Sequence, residues 1–239
     1  MSLVYLEWDS DFFDMKIGKI EMEDLDVLKF QSDVACAKRE GYELIYLFGE
    51  PKFAPSLVSL RGAHCVSVGT NNLYSKPVLS GQQNKAITLL PRSTDIKDVY
   101  ELAYESGKYS RFRLDPHIGL ASFHRLYRAW VDNSVSGVIA DDVLVFIESN
   151  VIQGLCTVRF AGEGATVGLL AVAPRQQGNG VGRALVEFAE RRALQRGCQR
   201  LYVTTQVANE GACVFYEKLG MTMFRSTKIH HLWIRNDSV

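Results

Sequence analysis

The chain of 239 residues carries no net formal charge, its 27 lysines and arginines matching 27 aspartates and glutamates. A neutral balance excludes a global electrostatic draw toward nucleic acid or an anionic membrane, so any anionic partner must be held by a local site. Cysteine is scarce and scattered: Cys36, Cys65, Cys156, Cys198 and Cys213 form no C-x-x-C pair. An odd, dispersed set suits reduced thiols in a cytoplasm better than a disulfide frame or a zinc site. The five histidines show no H-E-x-x-H spacing either, so no metal is expected. No apolar run approaches the roughly eighteen residues that a membrane span needs. The opening stretch carries Glu7, Asp9, Asp11 and Asp14 without a basic segment, so no signal peptide is expected there and a cytoplasmic protein is.

The length allows one large domain or two small ones. The first third reads as a small α/β unit: a strand at Ile17 to Met22, a helix from Leu25 to Glu40, a strand at Tyr42 to Phe48, a second helix at Phe53 to Leu60 and a short strand at Cys65 to Val68. The aromatic cluster Trp8, Phe12 and Phe13 could be a base-stacking platform, but a corner of the core is the favoured reading. Ser, Gly, Gln and Asn become frequent from Asn71 to Lys85, and a domain boundary is expected there, with an N-terminal α/β domain over 1–84 and a second domain over 85–239.

The richest stretch is Leu169 to Leu185, LLAVAPRQQGNGVGRAL. An apolar strand runs into a turn with Pro174, and Gly178, Gly180 and Gly182 then lead into a helix from Val181 to Arg196. Its apolar positions Val181, Ala184, Leu185, Phe188, Ala189 and Ala193 fall at helical spacing, with Glu187, Glu190, Arg191, Arg192 and Gln195 opposite. Glycines at a strand-to-helix passage let the backbone turn tightly and bring several N–H groups onto one anion, at a helix end carrying about half a positive charge. A Rossmann fingerprint would want an acidic residue at the next strand end, but Arg200 to Gln206 ends in Thr-Thr-Gln. A P-loop would want Gly-Lys-Ser or Gly-Lys-Thr, and Gly182-Arg183-Ala184 does not supply it.

Gln177-Gly178-Asn179-Gly180-Val181-Gly182, following a strand that ends Leu-Ala-Val-Ala-Pro, resembles the Q/R-x-x-G-x-G/A signature of the GCN5-related N-acetyltransferases. The resemblance continues in Val207 to Ala212 and in Phe215-Tyr216-Glu217-Lys218-Leu219-Gly220-Met221. It implies a mixed, mostly antiparallel sheet with splayed central strands and flanking helices, here preceded by the smaller N-terminal α/β unit, possible kin to a degenerate half of the same fold. It implies acetyl-coenzyme A as co-substrate, with its diphosphate on the amides of Gln177, Gly178, Asn179, Gly180, Val181, Gly182 and Arg183. Backbone groups of Leu170 and Val172 would take the pantetheine and the thioester carbonyl. Asn209 and Tyr216, seven apart and so expected on one helix face, would meet the coenzyme, with Tyr216 protonating the leaving sulfur.

Between these motifs, the pattern predicts a strand at Ile87 to Leu90, a helix from Asp95 to Ser106 capped by Ser93 or Thr94, and an aromatic helix from Ser122 to Asn133. Strands are expected at 143–148, 153–160, 166–172 and 201–205, and a closing one at Lys228 to Ile234. Arg111 and Arg113 offer planar forks for a phosphate, the alternative being a solvated loop or a pair with Asp115. SRFR over 110–113, F-x-x-L-Y-R-x-W over 123–130, VGLLAV and VTTQVANEGACVFYEKLG are similar to N-acetyltransferases of amino-sugar nucleotides. That narrower likeness implies direct attack by the 4-amino group of a dTDP-linked 4-amino-4,6-dideoxyhexose, in surface polysaccharide precursor synthesis, with Arg111 and Arg113 on the acceptor. Other acceptors remain open (a protein N-terminus, a polyamine, an aminoglycoside), as does a non-catalytic acyl-coenzyme A binding module. A covalent route through Cys213 is disfavoured, because no histidine neighbours it in sequence. Glu163, Asp115, His117, His230 and His231 are all candidate general bases, and none stands out. Sheet-edge pairing through the C-terminal strands would make a homodimer, by analogy.

Overall fold

The computed structural model describes residues 3–22, 27–52, 62–79, 86–91 and 94–234. Its centre is one ten-stranded sheet. The elements in chain order are β1 (Leu3–Tyr5), α1 (Glu7–Phe13), β2 (Ile17–Met22), α2 (Val27–Arg39), β3 (Leu44–Gly49), β4 (Ala63–Pro77), β5 (Ile87–Leu89), α3 (Lys97–Ser106), α4 (Arg111–Leu114) and α5 (Leu120–Val135). There follow β6 (Asp142–Glu148), β7 (Val151–Ala161), β8 (Gly164–Val172), a 3-10 turn (Pro174–Gln176), α6 (Val181–Gln195), β9 (Arg200–Gln206), α7 (Glu210–Lys218) and β10 (Thr222–Ile234).

The strand order β1-β2-β3-β10-β4-β9-β8-β7-β6-β5 changes the expected organisation. β4 extends from Ala63 to Pro77, so Asn71 to Pro77, expected to open a linker, is sheet paired on one side with β10 and on the other with β9. Its polar composition misled the reading: Asn71, Asn72 and Ser75 sit in a strand whose two edges are both hydrogen-bonded. β10 in turn lies between β3 and β4, so residues 1–84 and 85–239 share a sheet whose strands interleave. β10 is interior over Lys228 to Trp233, where β3 and β4 flank it, and over Thr222 to Thr227 it pairs with β4 alone. The helix expected at 53–60 lies outside the described residues, as does Ser93.

Other elements fall where periodicity put them, with small physical differences. The residue that caps α3 is Ile96, and the Asp95 carboxylate rather than Thr94 accepts from the Lys97 N–H at 3.0 Å. The β6–β7 hairpin turns through Ser149 and Asn150, both with positive φ, and the β7–β8 hairpin through Gly162. Phe12 and Phe13 pack against the core, Phe13 at 6.0 Å from Phe112, whereas Trp8 stacks on Phe12 at 5.2 Å from the outside and is 43% exposed.

Three apolar clusters fill the molecule. One, between the sheet and α6, holds Leu185, Ala189, Cys156 and Leu201. A second lies under α3 and α5 with Leu126, Leu144 and Phe112, and a third under α2 with Phe30 and Ile45. A Cβ at Gly154 in β7 would stand 3.0 Å from Leu185, which is how α6 comes so close to the sheet. Glu190, placed on the solvent side by periodicity, is 3% exposed and makes a 2.6 Å ion pair with Lys76 of β4. Lys76 also donates to the Leu219 carbonyl at 3.2 Å, so one ammonium ties β4 to α6 and to the end of α7.

Burial raises the Glu190 carboxyl, and Lys76 draws it back down. Removing one partner leaves a buried charge exposed to nothing, which costs about 3–5 kcal/mol. Glu190→Ala should lower unfolding stability by about that amount in urea titration, whereas Lys76→Met with Glu190→Leu should come out near neutral.

Candidate active site

The site begins where two strands part. β8 and β9 pair in parallel from Gly164↔Arg200 to Val167↔Val203, and no further. Beyond that point β9 stays with β4 through Thr204, Thr205 and Gln206, while β8 stays with β7 through Leu170, Ala171 and Val172. The gap is the floor of a cleft of about 780 Å³, lined on its two sides by Gly168 to Val172 and Val203 to Gln206. Strand amides alternate in direction. The Leu169 N–H turns to Thr157 Oγ1 at 2.8 Å and the Ala173 N–H to the Gln153 carbonyl at 2.8 Å, both toward β7. The amides of Leu170 and Val172, between them, therefore face the open side. Those are the two residues expected to take the pantetheine.

At the mouth of the gap, Gly178 and Gly180 take positive φ of 82° and 80°, and Gly180 is the N-cap of α6. The first helical bond closes from Ala184 N–H to the Gly180 carbonyl at 3.0 Å, so Val181, Gly182 and Arg183 keep amides without an intrahelical partner. Gln177 donates its side-chain amide to the Val172 carbonyl at 3.0 Å, which fastens the turn to the end of β8. Gln177, Gly178, Gly180, Val181, Gly182 and Arg183 line the cleft. Asn179 does not, and its side chain donates to Gln176 Oε1 at 3.3 Å. Free amides at a helix end with no side chain between them fit a diphosphate, and the unpaired strand edge fits a pantetheine.

Tyr216 lines the cleft and is 5% exposed. Burial, with lesser contributions from Cys156 and Cys213, raises its phenol well above the ordinary value, so it keeps its proton. It packs 5.9 Å from Tyr74 of β4, whose hydroxyl donates to Glu217 at 3.3 Å. Asn209 lines the same cleft, but not by sharing a helix face: it is the N-cap of α7, and its Oδ1 accepts from the Ala212 N–H at 3.3 Å. The seven-residue spacing therefore relates a cap to a helical residue, and the helical-face argument does not apply.

Arg111 and Arg113 separate. α4 is a single turn, and residues two apart on a helix point to different sides. Arg111 lines the cleft, its guanidinium 3.9 Å over the Tyr46 ring and 4.4 Å over that of Phe112. Burial lowers its pKa. Arg113 is exposed and outside the lining. Asp115 pairs with neither. It is 1% exposed, with Oδ2 2.5 Å from His231 Nδ1, and it accepts from Trp233 Nε1 at 3.0 Å and from the His117 N–H at 2.9 Å. Burial alone would raise its carboxyl, but these hydrogen bonds, led by that of His231, hold it below the usual value.

Of the candidate bases, none lines the cleft. Glu163 is exposed in the β7–β8 turn, at the paired end of β8, away from the gap. His117 reaches Asp115 and meets the Trp233 ring at 5.1 Å, the two planes tilted by 35°. His230 and His231 are both buried and, as neighbours in a strand, face opposite sides. Four groups the sequence reading passed over line the cleft instead: Asn71, Glu105, Lys108 and Lys218. No local motif marks them, since they come from four separate elements and turns.

The chain matches the model of the acetyltransferase (GNAT) family over residues 96–221. It is 26% identical over 147 residues to the spore coat polysaccharide biosynthesis protein SpsD of Bacillus subtilis, covering 60% of this chain and 49% of that one. The chain thus spans about half the length of this curated relative. Among solved structures, a conserved protein of unknown function from Staphylococcus epidermidis superposes with a TM-score of 0.63 at 13% identity, covering 93% of this chain and 85% of that one. A GCN5-related N-acetyltransferase from Sphaerobacter thermophilus gives 0.56 at 14% identity, with coverage of 87% and 67%. These last two are likenesses of fold.

Burial is the first cause that lowers both His230 and His231 to about 4, the Asp115 hydrogen bond pulling His231 partly back. Unfolded histidines titrate near 6.5, so below that pH the unfolded chain binds protons that the native one refuses. Stability is therefore fully present above about pH 6.5 and should fall as pH drops toward 4, by up to about 3 kcal/mol per histidine. Urea titrations across that range should show the slope, and His231→Gln should flatten it.

Proposed function

The chain belongs to the acetyltransferase (GNAT) family, and on that premise we propose that it transfers the acetyl group of acetyl-coenzyme A to an amine by direct attack. Bound acetyl-coenzyme A supplies an activated thioester. The free amides of Val181, Gly182 and Arg183 hold its diphosphate, and those of Leu170 and Val172 hold the pantetheine arm and polarise the carbonyl. One such oxyanion donor is worth about 3–4 kcal/mol. Tyr216 Oη keeps its proton at neutral pH and passes it to the departing sulfur as the C–S bond breaks, and the proton shed by the attacking nitrogen as the C–N bond forms leaves through water in the cleft and restores the phenol.

The acceptor is proposed to be anionic, and the charge of the cleft carries that reading. Lys108, Arg111, Arg183 and Lys218 line it against one carboxylate, Glu105, which is paired with Lys108 at 2.5 Å. A cationic polyamine or aminoglycoside would meet like charge there. The similarity of the sequence to TDP-fucosamine acetyltransferase, and the polysaccharide role in the name of the Bacillus relative, point to a nucleotide sugar. The acceptor proposed is the 4-amino group of a dTDP-4-amino-4,6-dideoxyhexose in surface polysaccharide precursor synthesis. Residues 1–84 are read as the acceptor wall, since Tyr46 and Phe48 of β3 lie under the Arg111 guanidinium. A non-catalytic acyl-coenzyme A module is the second reading, and Tyr216 in the gap disfavours it.

Tyr216→Phe should cut turnover about a hundredfold with little change in coenzyme A affinity. An unchanged rate would remove the phenol from the chemistry, and a wild type that binds the coenzyme but acetylates no amine would favour the module. Arg111→Ala should raise KM for the nucleotide sugar roughly tenfold or more, from the loss of a charge-assisted bond, and leave KM for acetyl-coenzyme A near its original value. Arg113→Ala should do neither.

A further inference from the structure

β8 changes face in the middle of its length. Ala165 and Val167 lie in the apolar cluster beneath α6, whereas Leu169 and Ala171, of the same parity, lie in the cluster under α3 and α5. Leu170 and Val172 have taken the place beneath α6. A regular strand keeps one parity on one face, so an extra residue has been inserted between Val167 and Leu170. The pairing with β7 shows where. Cys156 stands opposite Leu170 and Val158 opposite Val167, which leaves Gly168 and Leu169 together against Thr157. This bulge begins one residue beyond Val167↔Val203, where β8 parts from β9.

The insertion also decides which amides face the gap. A strand without it would turn the Leu169 and Ala171 N–H groups that way, and with it Leu170 and Val172 present theirs. Two side-chain positions hold the bulge in place. Thr157 is 3% exposed, and its Oγ1 accepts from the Leu169 N–H at 2.8 Å, where a backbone carbonyl of β7 would ordinarily do so. A Cβ on Gly168 would stand 2.8 Å from that same Oγ1 and, among the described residues, would meet no other atom within 4 Å. Glycine at 168 is therefore what gives the hydroxyl its room.

We propose that Thr157 is a positioning residue for acetyl transfer, its buried hydroxyl fixing the bulge at Gly168 and so aiming the Leu170 amide at the thioester carbonyl. Thr157 is outside the cleft lining and acts through β8. The proposal rests on the reading of the cleft as an acetyl-transfer site. As the amine nitrogen bonds to the carbonyl carbon, an electron pair moves onto the carbonyl oxygen, and the Leu170 N–H must already point there. Without the Thr157 hydroxyl, the Leu169 N–H is a buried donor with no acceptor. A shift of the bulge by one residue relieves it and exchanges the amides that face the gap. The free amides at Val181 to Arg183 lie outside this change, so coenzyme affinity and turnover should separate.

The test compares Thr157→Ala, Thr157→Ser, Gly168→Ala and the double variant Thr157→Ala with Gly168→Ala, each as the full chain. Thr157→Ala should lower kcat about tenfold or more and move KM for acetyl-coenzyme A less than about threefold. Thr157→Ser keeps the hydroxyl and should restore most of kcat. Gly168→Ala should reproduce the loss by displacing the hydroxyl, and adding it to Thr157→Ala should cost little more, because no Oγ1 remains to displace. With leucine labelled by nitrogen-15, the Leu170 amide signal should differ between coenzyme A and acetyl-coenzyme A in the wild type and in Thr157→Ser, and not in Thr157→Ala. Coenzyme A affinity checks the fold, and if Thr157→Ala does not fold, Gly168→Ala against Thr157→Ser makes the same comparison. An unchanged kcat, equal losses of kcat and coenzyme A affinity, no rescue by serine, or full additivity of the two changes would overturn the proposal. Acetylation of an amine without any Leu170 response would overturn it too and keep the transfer reading. A Leu170 response in a wild type that acetylates no amine would sink the transfer reading and keep the aim of the amide.

Discussion

Two parallel strands that stop pairing after four residues create everything else in this site. Where β8 leaves β9 at Val167 and Val203, the backbone of β8 keeps one hydrogen-bonded edge toward β7 and offers the other to the gap. An unpaired strand edge inside a protein is costly unless something completes it, and an extended chain bearing amides is the natural complement. The glycine turn and the N-terminus of α6 sit at the end of β8, so the same divergence that opens the strand edge sets free amides at one end of it. Gln177, bonded to the Val172 carbonyl, keeps these two parts in register.

The separation of the strands would collapse if nothing held β9 away from β8. β4 holds it, pairing with β9 from Asn71↔Gln206 to Pro77↔Arg200. Its Tyr74 packs on Tyr216, and its Lys76 reaches Glu190 and the Leu219 carbonyl beneath α6 and α7. The N-terminal part of the chain is therefore a structural member of the half that carries the cleft. Further along the sheet, β3 adds Tyr46 under Arg111, so the same part also contributes to the packing beside the cleft.

What could be read from the sequence follows from how local the signals are. The strand, the glycine turn and the first turn of α6 lie within seventeen consecutive residues, and their pattern pointed to a helix end with several free amides. The hairpins of β6, β7 and β8 were equally legible, because alternation and turn residues are short-range. Long-range pairing was not legible: Asn71 to Pro77 has the composition of a linker, and only its neighbours β9 and β10 make it a strand. Glu190 looked solvent-facing because its partner, Lys76, lies more than a hundred positions away. Arg111 and Arg113 looked equivalent until α4 turned them apart. His231 and Asp115 were both named among the candidate bases, yet nothing in the spacing showed that they would bond to each other rather than face the coenzyme.

The interleaving of β10 between β3 and β4 sets an order of events for the growing polypeptide. Until Thr222 to Ile234 has been synthesised, β3 and β4 each present a bare edge, and the sheet exists as two fragments with no strand to join them. Pairings between segments so remote along the chain are slow to form, because loop closure precedes any reward from contact. The nascent protein thus carries exposed strand edges through its translation, and the ten-stranded sheet closes only when β10 threads the slot.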